Sequence, residues 1–483
     1  MNYKMIFYTV GQVLLLTTAF LVLPMLVAVI YGEWFSLSSF AITAGISLAI
    51  GALFTTLFKN RDKNIYAKEG LVIVSLAWIS VSLVGALPFV LSGSIPSYID
   101  AWFETVSGFT TTGATILKDI EALGRGILFW RSFTHWIGGM GVLVFVMAIV
   151  SRAPDRSMNI LRAEMPGPIV DKLVPRAKDT AKILYIIYIG LTVLLIIMLL
   201  IGGMPFYDSV IHAMGTAGTG GFSIKNDSIG GYNNYLQWVI AVFMLLFGIN
   251  FNLYYLLLLK KFKAFFKSGE LRVYLGIFLI SVCLVTFSIY PLYENFSEVL
   301  RLAVFQTSSV MTTTGYATAN FTEWNAPLAK AVLVCLMFIG SCAGSTAGGF
   351  KVSRVVILIK KLGNEFKRLV HPRTASIVKF EGKKVDEATL SGVENYLAVY
   401  VVSFIVIVLL LSFEKSFSFE ANFTAAASCF NNIGPMYGNV VAGGAFYNYS
   451  WFSKIVLSLA MLLGRLEIYP LLLTLAPTTW IKK

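Results

Sequence analysis

The sequence predicts an all-α integral membrane protein, in which ten spanning helices surround four shorter re-entrant segments. Of the 483 residues, 57% are hydrophobic and only 13% are charged, whereas soluble proteins carry about 25% charged residues. Apolar stretches long enough to cross a bilayer recur along the chain, and the segments between them repeat one pattern. This composition excludes a soluble enzyme, a disordered chain and a disulfide scaffold.

The spanning helices are predicted from length and apolarity, because a helix needs about 20 apolar residues to cross the hydrocarbon core of a bilayer. Ten stretches fit, at positions 6–31, 37–58, 70–92, 127–150, 183–204, 235–259, 273–292, 328–350, 396–413 and 452–476. An even number of spans places both termini on the same side of the membrane.

Four further segments are too short or too interrupted to span. Each begins with an amphipathic pattern and ends in Gly, Thr or Asn, and they lie at 99–117, 205–224, 295–319 and 417–440. Irregular backbone at membrane depth is tolerated only where protein or a water-filled path surrounds it. We therefore expect each segment to enter the membrane as a short helix and to return as a loop.

The basic residues predict the orientation. Of the 38 Lys and Arg residues, 29 fall in six stretches on one side, and cytoplasmic loops carry the excess of positive charge in membrane proteins. The predicted outer stretches hold eight, among them Arg131 and Lys454. Both termini are therefore expected in the cytoplasm. The net charge of +13 then follows from orientation, without a nucleic-acid partner.

A fourfold repeat follows an N-terminal helix pair at 1–66. Each repeat reads span, re-entrant segment, span, and the four occupy 67–151, 176–262, 270–361 and 391–483. The tips of the re-entrant segments align as Thr110-Thr111-Thr112-Gly113, Gly218-Thr219-Gly220-Gly221, Thr312-Thr313-Thr314-Gly315 and Asn431-Asn432-Ile433-Gly434. Four copies in one chain are expected to surround a single central axis.

The residue types at these tips suit a dehydrated cation. Such an ion needs several oxygens at once, and successive backbone carbonyls can supply them. Glycine permits backbone angles that other residues resist, and threonine adds a hydroxyl oxygen. A single Thr-Thr-Thr-Gly sequence would more often indicate close helix packing, but four tips at equivalent places favour an ion path.

These tips, with the two-helix start and the four repeats, resemble the Trk/Ktr/HKT superfamily of potassium transporters. The N-terminal helix pair favours its TrkH/TrkG branch. The resemblance implies uptake of K⁺ across the bacterial inner membrane through a selectivity filter in one subunit, with no organic cofactor. It also implies a homodimer in the lipid bilayer and a cytoplasmic, nucleotide-binding regulatory subunit of the TrkA-like (RCK) type.

Carried over by position, the resemblance predicts which residues bind K⁺ in the filter. They are Thr111, Thr112, Gly113, Thr219, Gly220, Gly221, Thr313, Thr314, Gly315, Asn432, Ile433 and Gly434. In the second tip, Gly220 and Gly221 are both candidates for the filter glycine. The fourth tip replaces the threonines, so we expect it to coordinate the ion less symmetrically than the other three.

The eighth predicted span is interrupted by glycine. The run from Gly340 to Lys351 is rich in small residues, and each glycine weakens a helix by about 1 kcal/mol relative to alanine, so this run should unwind. Close helix packing is the alternative. The resemblance implies an intramembrane gate loop beneath the filter, and the predicted gate residues are Gly344, Ser345, Thr346, Ala347, Gly348, Gly349, Lys351 and Arg465.

Arg465 is the charge that stands out within the last apolar stretch. An ionisable residue at membrane depth is a functional-site hypothesis by default. It could form an ion pair with Glu467 or donate to loop carbonyls, although residues two apart do not face each other on a helix. The resemblance implies that an arginine here projects toward the pore and limits the passage of cations.

Two other function classes compete with this interpretation. A membrane enzyme would need clustered Asp, His or Cys residues, and the sequence has no such motif, so we expect no enzymatic activity. A secondary transporter coupled to H⁺ or Na⁺ remains the alternative for K⁺ transport. The basic loops 351–384 and 151–182 are the predicted partner surface, and anionic lipid is the competing ligand.

Overall fold

The computed structural model describes residues 1–59, 67–141, 177–321, 323–372, 377–436 and 446–481. These residues are mostly helical, as the sequence predicts, and the strands among them are the antiparallel pair Lys379–Phe380 and Lys383–Lys384. Positions 142–150 of the predicted fourth span and 151–176 of the second basic loop lie outside the described residues.

Six helices in the described part are long and apolar enough to cross a membrane. They are Tyr3–Ile30, Trp34–Leu57, Ala67–Leu91, Asp179–Ile201, Gly269–Leu292 and Glu387–Leu411. Each lies on one of the predicted spans. Their outward faces are apolar, and Phe287 and Ile280, for example, are 77% and 63% exposed. This exposure fits contact with hydrocarbon rather than water.

At the remaining predicted spans, the described residues form shorter or broken helices. The helices there are Arg125–Gly139, Asn234–Phe247 with Phe251–Leu258, Pro327–Met337, and Trp451–Arg465 with Tyr469–Leu475. The Asn234–Phe247 and Phe251–Leu258 helices meet at an angle of 93°, so the expectation of one continuous helix over 235–259 is wrong. Two loop contacts explain the break, because the N–H of Cys342 donates to the Gly248 carbonyl (3.1 Å) and that of Phe251 to the Gly344 carbonyl (3.0 Å).

The four segments that the sequence predicts to be re-entrant each begin with a short helix. For these helices we use the names pore helices 1 to 4. They are Tyr98–Phe109, Phe206–Gly218, Phe296–Met311 and Phe419–Phe430. At 12 to 16 residues and 1.5 Å per residue, they extend about 18 to 24 Å. They are thus too short to cross a hydrocarbon core of about 30 Å, and each ends where its Thr, Gly or Asn tip begins.

The cysteines divide between interior and surface. Cys342 and Cys429 are buried, whereas Cys283 and Cys335 are exposed. All four lie in apolar stretches of the sequence, where small buried residues would be expected. Both exposed cysteines lie on apolar helices whose outer faces also carry other exposed apolar side chains, so an apolar sequence context did not imply burial within the protein.

Candidate ion pathway

The four tips share one backbone conformation. A residue with positive φ is followed two positions later by a glycine with positive φ in every tip. The pairs are Thr111 (54°) and Gly113 (80°), Thr219 (54°) and Gly221 (77°), Thr313 (53°) and Gly315 (83°), and Asn432 (57°) and Gly434 (103°). This pattern puts Gly221, rather than Gly220, at the position equivalent to the other three glycines.

The tips form a closed ring. At each of these glycines, an added Cβ would collide with a backbone carbonyl oxygen of the next tip in chain order, and the fourth tip meets the first. The pairs are Gly113 with Gly220, Gly221 with Thr314, Gly315 with Ile433, and Gly434 with Thr112. The carbonyls of the residues before the four glycines are therefore brought together at one level, as a fourfold arrangement requires.

Hydroxyl pairs hold the first and third tips. The Oγ1 atoms of Thr110 and Thr112 lie 2.8 Å apart, and those of Thr312 and Thr314 lie 2.7 Å apart. In both tips the first threonine also donates to the carbonyl one helical turn earlier. The two Thr-Thr-Thr-Gly sequences therefore stabilise the same bend by the same local contacts.

The second tip has no such hydroxyl pair and is held by His135. The Phe222 N–H donates to His135 Nε2 (3.3 Å), so this nitrogen must be unprotonated. The proton then lies on Nδ1, which donates to the Gly108 carbonyl (2.8 Å). His135 thereby joins pore helix 1 to the second tip. No motif in the sequence singles out this histidine for that role.

A buried ion pair also supports the second tip. Arg131 Nε lies 2.6 Å from Glu104 Oε1, with side chains 1% and 0% exposed. Arg131 Nη1 donates to the Ser223 carbonyl (2.9 Å), and the Glu104 carboxylate accepts from Thr115 Oγ1 and the Ile116 N–H (2.9 and 3.0 Å). The sequence interpretation counted Arg131 among the charges of the outer stretches, whereas the structure buries its side chain in the protein. The signal that could have indicated a buried ion pair was Glu104, an acid among the buried residues of pore helix 1.

Side-chain amides hold the fourth tip. Asn432 Nδ2 donates to Thr112 Oγ1 and to the Met461 carbonyl, both at 2.9 Å. The Tyr400 hydroxyl donates to Asn431 Oδ1 (2.7 Å). The asparagines that replace threonine thus link this tip to its neighbours, whereas the Thr-Thr-Thr-Gly tips rely on pairs within themselves.

The glycine-rich run is not helical and lies directly against the tips. The preceding helix ends at Met337, and the next begins at Val352. The Gly348 N–H donates to Thr313 Oγ1 (2.7 Å), and a Cβ on Gly348 would meet the Asn431 carbonyl at 2.7 Å. This run therefore contacts the third and fourth tips at the start of their bends.

Arg465 joins this loop to the opposite side of the ring. Its Nη1 donates to the Thr346 carbonyl (2.7 Å), and its Nη2 donates to the Gly138 and Gly139 carbonyls (2.5 and 2.8 Å). Of the two sequence alternatives, the structure shows carbonyl contacts. Glu467 pairs with Arg354 instead.

The other predicted gate residues stabilise the loop from within. Lys351 is 1% exposed, and its Nζ donates to the carbonyls of Ala347 and Gly348. Ser345 Oγ donates to the Cys342 carbonyl (2.7 Å), while Gly344 and Gly349 adopt positive φ. The loop is thus a defined structure whose polar groups are paired largely with backbone.

A family model described as TrkH, cation transport protein, matches residues 36–481. The chain belongs to the TrkH family. Family membership confirms the expectation of a membrane transport protein and the expectation that the chain is not an enzyme.

Individual relatives extend over the whole chain. The Trk system potassium uptake protein TrkH of Salmonella typhimurium is 37% identical, over 99% of this chain and 100% of that protein. The TrkG protein of Escherichia coli, from the same system, is 35% identical over 95% and 94%. Among solved structures, the potassium transporter TrkH from Vibrio parahaemolyticus superposes with a TM-score of 0.89 at 31% identity, with both chains fully covered.

Proposed function

We propose that this chain carries K⁺ across the bacterial inner membrane through a filter built from its four tips. The observation that supports this most strongly is the closed ring of tips, in which four different sequences adopt one backbone conformation. The family and the potassium-uptake relatives support K⁺ as the transported ion.

In this filter, backbone carbonyls replace the water around the ion. Such a site discriminates between ions through the number and placement of its oxygens. The oxygens brought together at one level belong to Thr112, Gly220, Thr314 and Ile433. Thr111, Thr219, Thr313 and Asn432 occupy the bend below, and the side-chain oxygens of Thr111 and Asn432 are buried without a hydrogen-bond partner there. In this proposal, these two side-chain oxygens are further candidate ligands for the ion.

The loop Gly340–Lys351 acts as a gate in this proposal. This role is supported by the contact of the loop with Thr313 and by the hydrogen bond from Arg465 to a loop carbonyl, since both would put protein and a positive charge beneath the filter. A fixed cation there opposes the passage of K⁺ by electrostatic repulsion. Opening requires the hydrogen bond from Arg465 to the Thr346 carbonyl of the loop to break. Arg465 therefore both holds the loop closed and repels cations.

We further propose ten spans with both termini in the cytoplasm, a homodimer, and regulation by a TrkA-like subunit that binds the basic surface of 351–384. The helix Val352–Val370 carries much of this charge. Two of its lysines have internal contacts, because Lys360 donates to the Lys379 carbonyl (2.8 Å) and Lys361 pairs with Glu394. Lys367 is exposed, so its substitution tests partner binding without removing those two internal contacts.

Flux in proteoliposomes tests whether transport is coupled to another ion. Uncoupled flux predicts that the reversal potential follows the K⁺ gradient when a proton or sodium gradient is imposed. A reversal potential that moves with either imposed gradient would favour the alternative, a secondary transporter.

A binding assay in detergent tests the partner surface. Charge reversal at Lys367 and Arg368 should abolish binding of the TrkA-like subunit, while reversal at Lys118 on the predicted outer side should leave it intact. Equal binding by both variants would contradict the proposed surface.

A further inference from the structure

One buried carboxylate accepts hydrogen bonds from both ends of the glycine-rich loop. Glu270 lies in the first turn of the helix Gly269–Ile289 and is 5% exposed. Its Oε1 accepts from the N–H of Ala343 (2.7 Å) and from the N–H of Ser353 (3.1 Å). These donors bracket the predicted gate residues Gly344 to Lys351, so a single oxygen ties the entry of the loop to its exit.

The two donors depend on this oxygen. Ala343 and Ser353 are 7% and 1% exposed, and a buried N–H without a partner is costly. Hydrogen bonds to an ionised acceptor are about twice as strong as neutral ones. Glu270 therefore fixes the spacing of the loop ends, although it lies more than 70 positions from them in the chain.

A cytoplasmic hairpin holds the helix end that carries Glu270. The strands Lys379–Phe380 and Lys383–Lys384 are joined by Glu381 and Gly382, whose φ values are 48° and 75°. Glycine or asparagine is usual at such positions, and glutamate is not. Glu381 Oε1 accepts from Ser268 Oγ (3.0 Å) and from the Glu270 N–H (2.9 Å). The unfavourable backbone angle thus brings a carboxylate to a helix N-terminus, where negative charge is stabilised.

The hairpin is fixed on one side and open on the other. Val378, Phe380 and Val385 are buried at 7%, 7% and 4% exposure, whereas the lysines of the strands are exposed. A macromolecule with an acidic surface can therefore contact the lysines and move a unit that is bonded to the loop through Glu381 and Glu270.

We propose that Glu270 is a positioning residue for the loop, and that Glu381 couples the cytoplasmic hairpin to it. Displacement of the hairpin by an acidic partner surface loosens the Glu270 helix end and then the loop. The coupling of this movement to transport rests on the proposed role of the loop as a gate.

Cys342 provides a readout within the loop itself, because it is fully buried there. The experiment uses the full chain in detergent, with the exposed Cys283 and Cys335 replaced by serine and the buried Cys429 by alanine. It follows labelling of Cys342 by a hydrophilic maleimide. The variants are Glu270→Gln, Glu270→Ala and Glu381→Gln, and the control is Glu387→Gln, an exposed acid in the first turn of another helix.

We expect labelling about tenfold faster in Glu270→Gln and Glu381→Gln, because the neutral amide oxygen of Gln accepts hydrogen bonds more weakly than a carboxylate oxygen does. Glu270→Ala should label faster still, and Glu387→Gln should match the parent. Parent-like labelling in all three test variants would overturn the proposal. Because Glu381 lies on an exposed hairpin, its variant keeps the test valid if a Glu270 variant does not fold.

K⁺ flux by the same variants separates this proposal from the proposed function. Faster labelling with faster flux and unchanged discrimination against Na⁺ supports both, since general damage to the fold would also change discrimination. Faster labelling with parent-like flux supports the positioning role and contradicts gating by the loop. Parent-like labelling with intact K⁺ flux contradicts the positioning role alone.

Discussion

The first and third tips differ from the second and fourth in how they reach the same backbone conformation. The Thr-Thr-Thr-Gly tips pair their own hydroxyls, at 2.8 and 2.7 Å. The second tip depends on His135 and the Arg131–Glu104 pair. The fourth depends on hydrogen bonds that its asparagine side chains make with Thr112 and Tyr400. One backbone geometry is thus stabilised by local contacts in two tips and by contacts with distant residues in the other two.

The ring contact common to all four tips should give the largest effect when it is broken. Gly113→Ser and Gly315→Ser would force a Cβ against the carbonyls of Gly220 and Ile433. The positive φ of these positions costs a serine a further 1–2 kcal/mol, roughly, which lowers the population of the native backbone conformation by about tenfold. We expect K⁺ uptake to fall by about tenfold or more, or Na⁺ to enter, in flux measurements with each ion.

Gly93→Ser is the matched control for this prediction. Gly93 also has positive φ (69°), but a Cβ there would meet nothing within 4 Å. It therefore carries the backbone cost without the collision, and transport should be close to that of the parent. Unchanged uptake and selectivity in both filter variants would contradict the ring.

Breaking the distant support of the second tip should mainly lower stability. Glu104→Gln leaves Arg131 buried without its carboxylate, and loss of one partner of a buried pair costs about 3–5 kcal/mol. We expect a clear fall in thermal stability in detergent. Glu365→Gln removes an exposed pair with Arg368, which is worth at most about 1 kcal/mol. Equal losses in the two variants would show that the buried pair does not support the fold.

Removing single threonine hydroxyls from the first and third tips compares the contacts within these two tips. Of the changes considered, these should have the smallest effect on transport. Thr314→Val removes a hydroxyl pair within the third tip, worth about 1 kcal/mol. Thr112→Val removes the equivalent pair and also the bond from Asn432, so it should reduce discrimination against Na⁺ more. Ile433→Val, at the equivalent position of the fourth tip, should change little. A larger effect from Thr314→Val than from Thr112→Val would contradict the role of Asn432.

Local patterns in the sequence predicted the features that depend on local chemistry. The apolar stretches predicted ten spans, and six of them coincide with long apolar helices in the described residues. The Thr and Gly residues predicted four equivalent tips, which share a backbone conformation. The glycine-rich run predicted the loss of helix between Met337 and Val352. These features depend on neighbours in the chain, so composition and spacing were sufficient.

Features that depend on distant partners could not be predicted in the same way. Gly220 and Gly221 are identical residues, and they are distinguished by the positive φ of Gly221 and by its contact with Thr314 in the ring. His135, Glu104 and Glu270 contact backbone or side chains of other elements. The break at Gly248 follows from a loop almost 100 positions further along the chain. A single sequence can mark a residue such as Glu104 as unusual, but it does not identify the distant partner of that residue.

The most direct test of the carbonyl ring is flux of K⁺, Rb⁺, Na⁺ and Li⁺ through the purified chain in proteoliposomes, with and without the TrkA-like subunit. The ring predicts that K⁺ and Rb⁺ pass faster than Na⁺ and Li⁺ under both conditions, and that Gly113→Ser reduces this difference. Equal fluxes of all four ions through the native chain, or faster Na⁺ than K⁺, would contradict a filter built from the four tips.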